Sequence, residues 1–149
     1  MIPQGWERVN IEKYLLITRD GPFSHYILVQ DFNVDKKFNH TYKRFHRDML
    51  PQETSEVIID EISSDRAISS FQLCENVPIT INTYDGFRLV FTYNTADGTG
   101  HKTLYYGFLI DDIFYSIRYN TCNGYNDQRD VASFQEVLNS FKVLHARAM

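Results

Sequence analysis

The chain has 149 residues, with 15 Lys and Arg against 19 Asp and Glu, a formal charge of -4. No basic cluster stands out, so the electrostatic footprint of a nucleic-acid binder is absent. Hydrophobic residues at 43% and charged residues at 23% make an ordinary globular balance, and the length suits one domain, expected over residues 1–149.

No stretch approaches the ~20 apolar residues of a membrane-spanning helix. The N-terminus, MIPQGWERVN, has neither a charged leader nor an apolar signal core. It enters the fold abruptly, as a chain does when a leader has been replaced by methionine. Eleven Phe and ten Tyr favour strands, and tyrosine suits half-wet sheet faces.

Residues 14–18 (YLLIT) and 23–31 (FSHYILVQD) flank Arg19-Asp20-Gly21-Pro22, which has the composition of a tight turn. Together they predict an N-terminal hairpin. The next segment is rich in helix formers: Thr41 is an N-cap candidate for a helix ending near Leu50. Pro51 interrupts it and opens a second helix in which Val57, Ile58 and Ile62 form a stripe; one kinked helix is the alternative. Residues 67–82 (AISSFQLCENVPITIN) read as irregular strand and connection.

Residues 86–120 organise the rest. Phe87, Leu89, Phe91 and Tyr93 share one parity; Leu104, Tyr106, Phe108 and Ile110 share another; so do Ile113, Tyr115, Ile117 and Tyr119. That is the period of three antiparallel strands, each with one face on a core. TADGTGH supplies glycines for one reversal, and Asp111-Asp112 has the length of a two-residue hairpin loop without its preferred glycine. After a polar loop, Val131, Phe134, Val137, Leu138 and Phe141 fall at helical spacing, a face for packing on the sheet.

Candidate chemistry is sparse. His40 and His46, with Asp48 nearby, do not stack on one helix face and read as exposed polar residues. Asp97-Gly98-Thr99-Gly100 leads into a strand, whereas a phosphate cradle leads into a helix. Asn123, Asn126, Asp127 and Asp130 are rich in oxygen but miss the EF-hand spacing. Cys74 and Cys122 allow one disulfide or two free thiols, and both readings stand. No motif sets a nucleophile beside a base, so no cofactor, metal or catalytic residue is expected.

The second face of the three strands, read as Arg88, Val90, Thr92, Tyr105, Leu109, Phe114, Ser116 and Arg118, is too apolar for solvent and too polar for a pure core. Either the helix at residues 52–63 covers it, with the arginines snorkelling at the rim, or it docks a partner. In the second case Arg88, Tyr105, Phe114 and Arg118 are the anchors.

The late meander, the strand ending Tyr115-Ser-Ile-Arg-Tyr119-Asn-Thr, the polar loop and the closing helix Phe134-Gln-Glu-Val-Leu-Asn-Ser140-Phe141 resemble the PsbP-like fold, chiefly over residues 84–144. That fold includes an extrinsic, non-catalytic photosystem II subunit and a nuclear-import factor that binds the GTPase Ran. Within it the chain looks most like bacterial extracytoplasmic lipoproteins of undescribed role. The resemblance implies an α+β fold, a central antiparallel sheet with helices packed on it. It also implies a non-catalytic accessory domain docking on a larger protein assembly, periplasmic or membrane-anchored through a lipid that this chain lacks, or cytoplasmic if Met1 is the native start. The alternative is a small-ligand-binding or hydrolytic domain using a pocket between the sheet and the helical segment of residues 41–64.

Overall fold

A computed structural model describes residues 7–11, 14–19, 25–122 and 128–141. Among the described residues seven strands and two helices follow in the order β1 (Glu7–Ile11), β2 (Tyr14–Arg19), β3 (His25–Asn33), α1 (Pro51–Ser63), β4 (Ile68–Ile81), β5 (Tyr84–Thr95), β6 (Gly100–Ile110), β7 (Ile113–Cys122) and α2 (Gln128–Asn139). The strands form one antiparallel sheet in the order β1-β2-β3-β7-β6-β5-β4. The fold is α+β, as the sequence predicts.

Central strands carry the pattern most plainly because both of their faces are covered. Under α1 lie Phe87, Leu89 and Phe91 of β5 with Tyr105 and Phe114, closed by Val57 and Ile58 of the helix. Under α2 lie Tyr106, Phe108, Ile117 and Tyr119, closed by Phe134, Val137 and Leu138. The helical stripes at Val57 and Phe134 thus bury as expected, although Val131 remains 41% exposed.

Register corrects the sequence reading of the faces. The β5–β6 turn pairs odd positions with odd, Phe87 with Gly107 and Leu89 with Tyr105. The two-residue Asp111-Asp112 turn pairs odd with even, Tyr105 with Arg118, and Asp111 supplies its left-handed φ of 54° without glycine. Tyr105, Leu109, Phe114, Ser116 and Arg118 therefore share the α1 face with Phe87, whereas Arg88, Val90 and Thr92 belong to the opposite face.

Two other expectations change. Residues 39–50 form no helix: Tyr42 has φ 60°, Tyr42 N donates to Phe38 O at 3.0 Å, and the Glu61 carboxylate accepts the amides of His40 and Thr41 and the Thr41 hydroxyl. This looped path lets Phe38 and Phe45 both enter the α1-face core, where their rings meet edge to face at 5.3 Å. Thr41 is thus tethered to α1 rather than capping a helix. The helix starts at Pro51, with the Leu50 amide donating to Glu53 Oε1 at 2.8 Å.

Residues 68–81, which showed no clean alternation, are a 14-residue strand. Register shifts between Ser69 and Gln72 and between Leu73 and Glu75 break the parity, as bulges do. Pro78 is accommodated because β4 is an edge strand. At its end Asn82 and Thr83 turn the chain with φ 49° and 74°, and Asn82 Nδ2 donates to the carbonyls of Asn139 and Phe141, tying this turn to the end of α2. The N-terminal hairpin is present as β2 and β3, Tyr14 opposite Gln30; its turn at residues 20–24 lies outside the described residues. β1 adds a strand that the sequence reading did not assign.

Gly107 is the tightest point of the α1-face core. A Cβ there would meet the Phe114 ring at 2.6 Å and the Phe87 ring closer still. Gly107→Ala is expected to destabilise the domain by about 1–3 kcal/mol through overpacking, measured by urea denaturation; an unchanged midpoint would mean that the two rings can part freely.

Candidate functional site

Helix α1 is shorter than the strands that it covers. Its 13 residues rise roughly 20 Å, while strands of 10–12 residues extend about 33–40 Å. The last rows of the sheet therefore escape the helix. Over them, beyond Ile62, a cleft of about 220 Å³ opens between the sheet, the end of α1 and the chain leading into β4. Across its floor run Tyr26 of β3, Thr103 of β6 and Phe91 of β5, in one register row with Asn120 of β7, which is buried beneath them, with Arg118 and Tyr93 in the flanking rows. Ile62, Ile68 and Phe91 supply apolar wall, and His40, Glu61 and Asp65 stand around the cleft.

Arg118 is the dominant charge. One guanidinium nitrogen, Nη2, donates to Gln30 Oε1 at 3.2 Å, and the group lies 5.7 Å from the Tyr105 ring centroid, a favourable cation–π placement. Its Nε is buried without a hydrogen-bond acceptor, and among the described residues no carboxylate forms an ion pair with it. Glu61 is taken up by the His40 and Thr41 amides at 3.0–3.1 Å. Asp65 accepts from the Ala67 amide at 2.8 Å and lies 3.7 Å from His40 Nε2.

Beside Arg118 is a polar hub. Fully buried Asn120 accepts through Oδ1 from Thr103 Oγ1 at 3.0 Å and from the Tyr93 hydroxyl at 3.3 Å. That amide orientation leaves Nδ2 to donate to His101 Nδ1 at 3.2 Å, which assigns the His101 proton to Nε2, 3.4 Å from Thr95 Oγ1. Burial pushes the His101 pKa down, against the opposing charge of Asp97, and so favours the neutral ring. Tyr93 stacks on His101 with centroids 4.9 Å apart. Burial, reinforced by Tyr26 and opposed by Arg118, pushes its phenol up to about 12. At neutral pH these groups donate and hold: the phenol keeps its proton and Asn120 occupies His101 Nδ1.

The four expected anchors do not form one surface: Tyr105, Phe114 and Arg118 share the α1 face, and Arg88 does not. Arg88 lies on the opposite face, paired with Glu75 at 3.1 Å. Tyr105 and Phe114 are 3% and 0% exposed, core residues beneath α1. Of the four, Arg118 alone lines the cleft. Sequence reasoning passed over Asn120, Thr103 and Glu61; the usable signal was two polar residues at inward positions of aromatic strands, where burial demands hydrogen-bonded partners.

The remaining candidates sit elsewhere. His40 stands by the cleft with Glu61 and Asp65, whereas His46 lines a separate surface depression with Met49 and Glu53. Among the described residues no group of three or more His, Cys, Asp and Glu side chains is arranged to hold a metal ion. Asp97 lies in the exposed β5–β6 turn, its pKa lowered to about 2 by hydrogen bonds from the Thr95 hydroxyl and the Thr99 amide, which is turn chemistry. Cys74 and Cys122 are both free. Asn123, Asn126 and Asp127 lie outside the described residues, and Asp130 falls in the first turn of α2.

No family model matches the chain, and no curated protein matches it. Solved structures do share its fold. Cyanobacterial PsbP (CyanoP) from Synechocystis sp. PCC 6803 superposes with a TM-score of 0.56 at 8% identity, over 93% of this chain and 79% of that one. A Pseudomonas aeruginosa protein of unknown function, PA94, gives 0.57 at 7% identity, over 93% and 97%. A Bacteroides thetaiotaomicron VPI-5482 protein gives 0.52 at 12% identity over 89% of this chain, which spans 40% of that protein's length. At these identities the likeness is one of fold, and the fold is PsbP-like.

The buried phenol has a consequence in alkali. Unfolded Tyr93 loses its proton near pH 10 and folded Tyr93 near pH 12, so between these values the native state holds more protons than the unfolded state and stability falls as pH rises. Tyr93→Phe is expected to flatten that part of the stability profile and to remove a step near pH 12 from the tyrosinate absorbance curve. Retention of that step in the variant would assign it to another tyrosine.

Proposed function

We propose that this chain is a non-catalytic binding domain, an accessory component of a larger assembly, and that the cleft beside the end of α1 is its recognition site. The observation that carries this reading is Arg118, whose guanidinium lines a cleft without an ion-pair partner among the described residues. A charge taken out of water is costly unless paired, and a partner's anionic group would supply the missing half. The neighbouring groups support binding over reaction, because the Tyr93 phenol and the His101–Asn120 pair are held in single protonation states at neutral pH.

The likeness to PsbP, together with the resemblance to extracytoplasmic lipoproteins, extends the proposal to the cell envelope. The full-length native protein is expected to fractionate with the envelope and to elute on gel filtration, after mild detergent extraction, in a complex well above the size of the free protein. Arg118→Ala should shift it toward the free form, while Arg88→Ala, on the opposite face, should leave the complex intact. Elution of the wild type as a free protein, or equal behaviour of the two variants, would refute the accessory reading.

A further inference from the structure

We propose that the partner group taken by the cleft is a monocarboxylate with a ring-sized apolar body, for which a small aromatic acid is a stand-in. This rests on the reading of the cleft as the recognition site and goes further, to the class of its occupant. Three features of the cleft select that class together.

Size comes first. A cleft of about 220 Å³ compares with the roughly 150 Å³ of an apolar cavity that holds benzene; it accommodates one ring and a small substituent, and is below the ~300 Å³ at which drug-sized pockets begin. Charge comes second. Arg118 presents a planar donor fork matched to a carboxylate; the nearby hydroxyls of Tyr93 and Thr103 are already committed to Asn120, so the guanidinium is the principal donor left for a ligand. Walls and surroundings come third. Ile62, Ile68 and Phe91 offer apolar surface to a ring, while the carboxylates of Glu61 and Asp65 line the same cleft. Two negative groups there oppose phosphate esters and dicarboxylates, whose second charge would face them rather than Arg118. The acid sits with its carboxylate on Arg118 and its ring against the Ile62, Ile68 and Phe91 wall.

The test is an amide chemical-shift titration of the full chain with sodium benzoate, benzyl alcohol and inorganic phosphate as separate probes. Benzoate is expected to give saturable shifts concentrated at residues 91–93, 103 and 118–120. Benzyl alcohol, of the same shape without the charge, should bind at least tenfold more weakly, and phosphate should give no saturable shift over the same range. Arg118→Gln should weaken benzoate at least tenfold with the rest of the spectrum unchanged. Ile68→Trp, which occupies the wall and leaves the charge in place, should do the same, so the proposal stays testable if Arg118→Gln fails to fold. Absence of saturable benzoate shifts, shifts centred elsewhere, parity of benzyl alcohol with benzoate, saturable phosphate binding, or a variant that binds benzoate as the wild type does would each overturn it. Loss of the benzoate result with the native complex still dependent on Arg118 would discard the ligand class and leave the accessory reading standing.

Discussion

Phe87 and Phe114 face each other across Gly107, their rings 6.1 Å apart and nearly parallel, and the strands on either side are held in register by that fit. Phe45 from the looped segment stacks on Phe114 at 4.3 Å, and Tyr105 stacks on Phe87 at 6.0 Å. The aromatic layer is thick and lies toward one end of the α1 face. Because α1 sits over it, the helix cannot also reach the opposite end of the strands. The length mismatch between helix and strand then has a definite location, and the cleft is its result.

That end of the sheet has a different composition for the same reason. Rows under the helix hold Phe87, Leu89, Tyr105 and Phe114, with Arg118 at their border opposite Tyr105, whereas the rows beyond carry Thr103, Asn120, Tyr93 and His101 beside Phe91, polar side chains that need hydrogen-bond partners once partly buried. Asn120 meets that need for its neighbours by accepting two hydroxyls and donating to an imidazole. Glu61 does comparable work at the edge of the cleft, tying the 40–41 turn to α1. The polar groups of the cleft are thus mostly spent on one another. Arg118 is the exception: Gln30 and the face of Tyr105 compensate its charge only in part.

Much of this architecture was legible in the sequence, and the parts that were not share a cause. Alternation in β5, β6 and β7 and the stripes of α1 and α2 are local signals, since each can be read within a dozen residues. Register is not local. Whether Arg88 or Leu89 shares a face with Tyr105 depends on the length of the 95–99 turn, and a shift of one residue exchanges the faces. The docking surface expected from parity alone therefore combined two sides of the sheet. Residues 39–50 failed for a related reason: helix formers were present, but the requirement to insert both Phe38 and Phe45 under α1 outweighed propensity. In β4 the bulges erased the alternation that would have revealed a strand. Arg118 was picked out by sequence, yet its setting depends on β3, β6, β7 and α1 meeting at one point, which no short window contains.

On the proposed reading Arg118 is kept for recognition rather than for folding, and its exchange for methionine separates the two roles. Methionine fills a similar volume without charge, and replacement of a half-buried, imperfectly compensated charge by an apolar side chain is expected to be close to neutral. Urea denaturation of Arg118→Met is predicted to give a stability within about 1 kcal/mol of the wild type, or above it, with the native complex lost. A fall of about 3 kcal/mol or more, well beyond the ~1 kcal/mol typical of a point substitution, would show that the guanidinium is a structural element of the sheet and would overturn that reading.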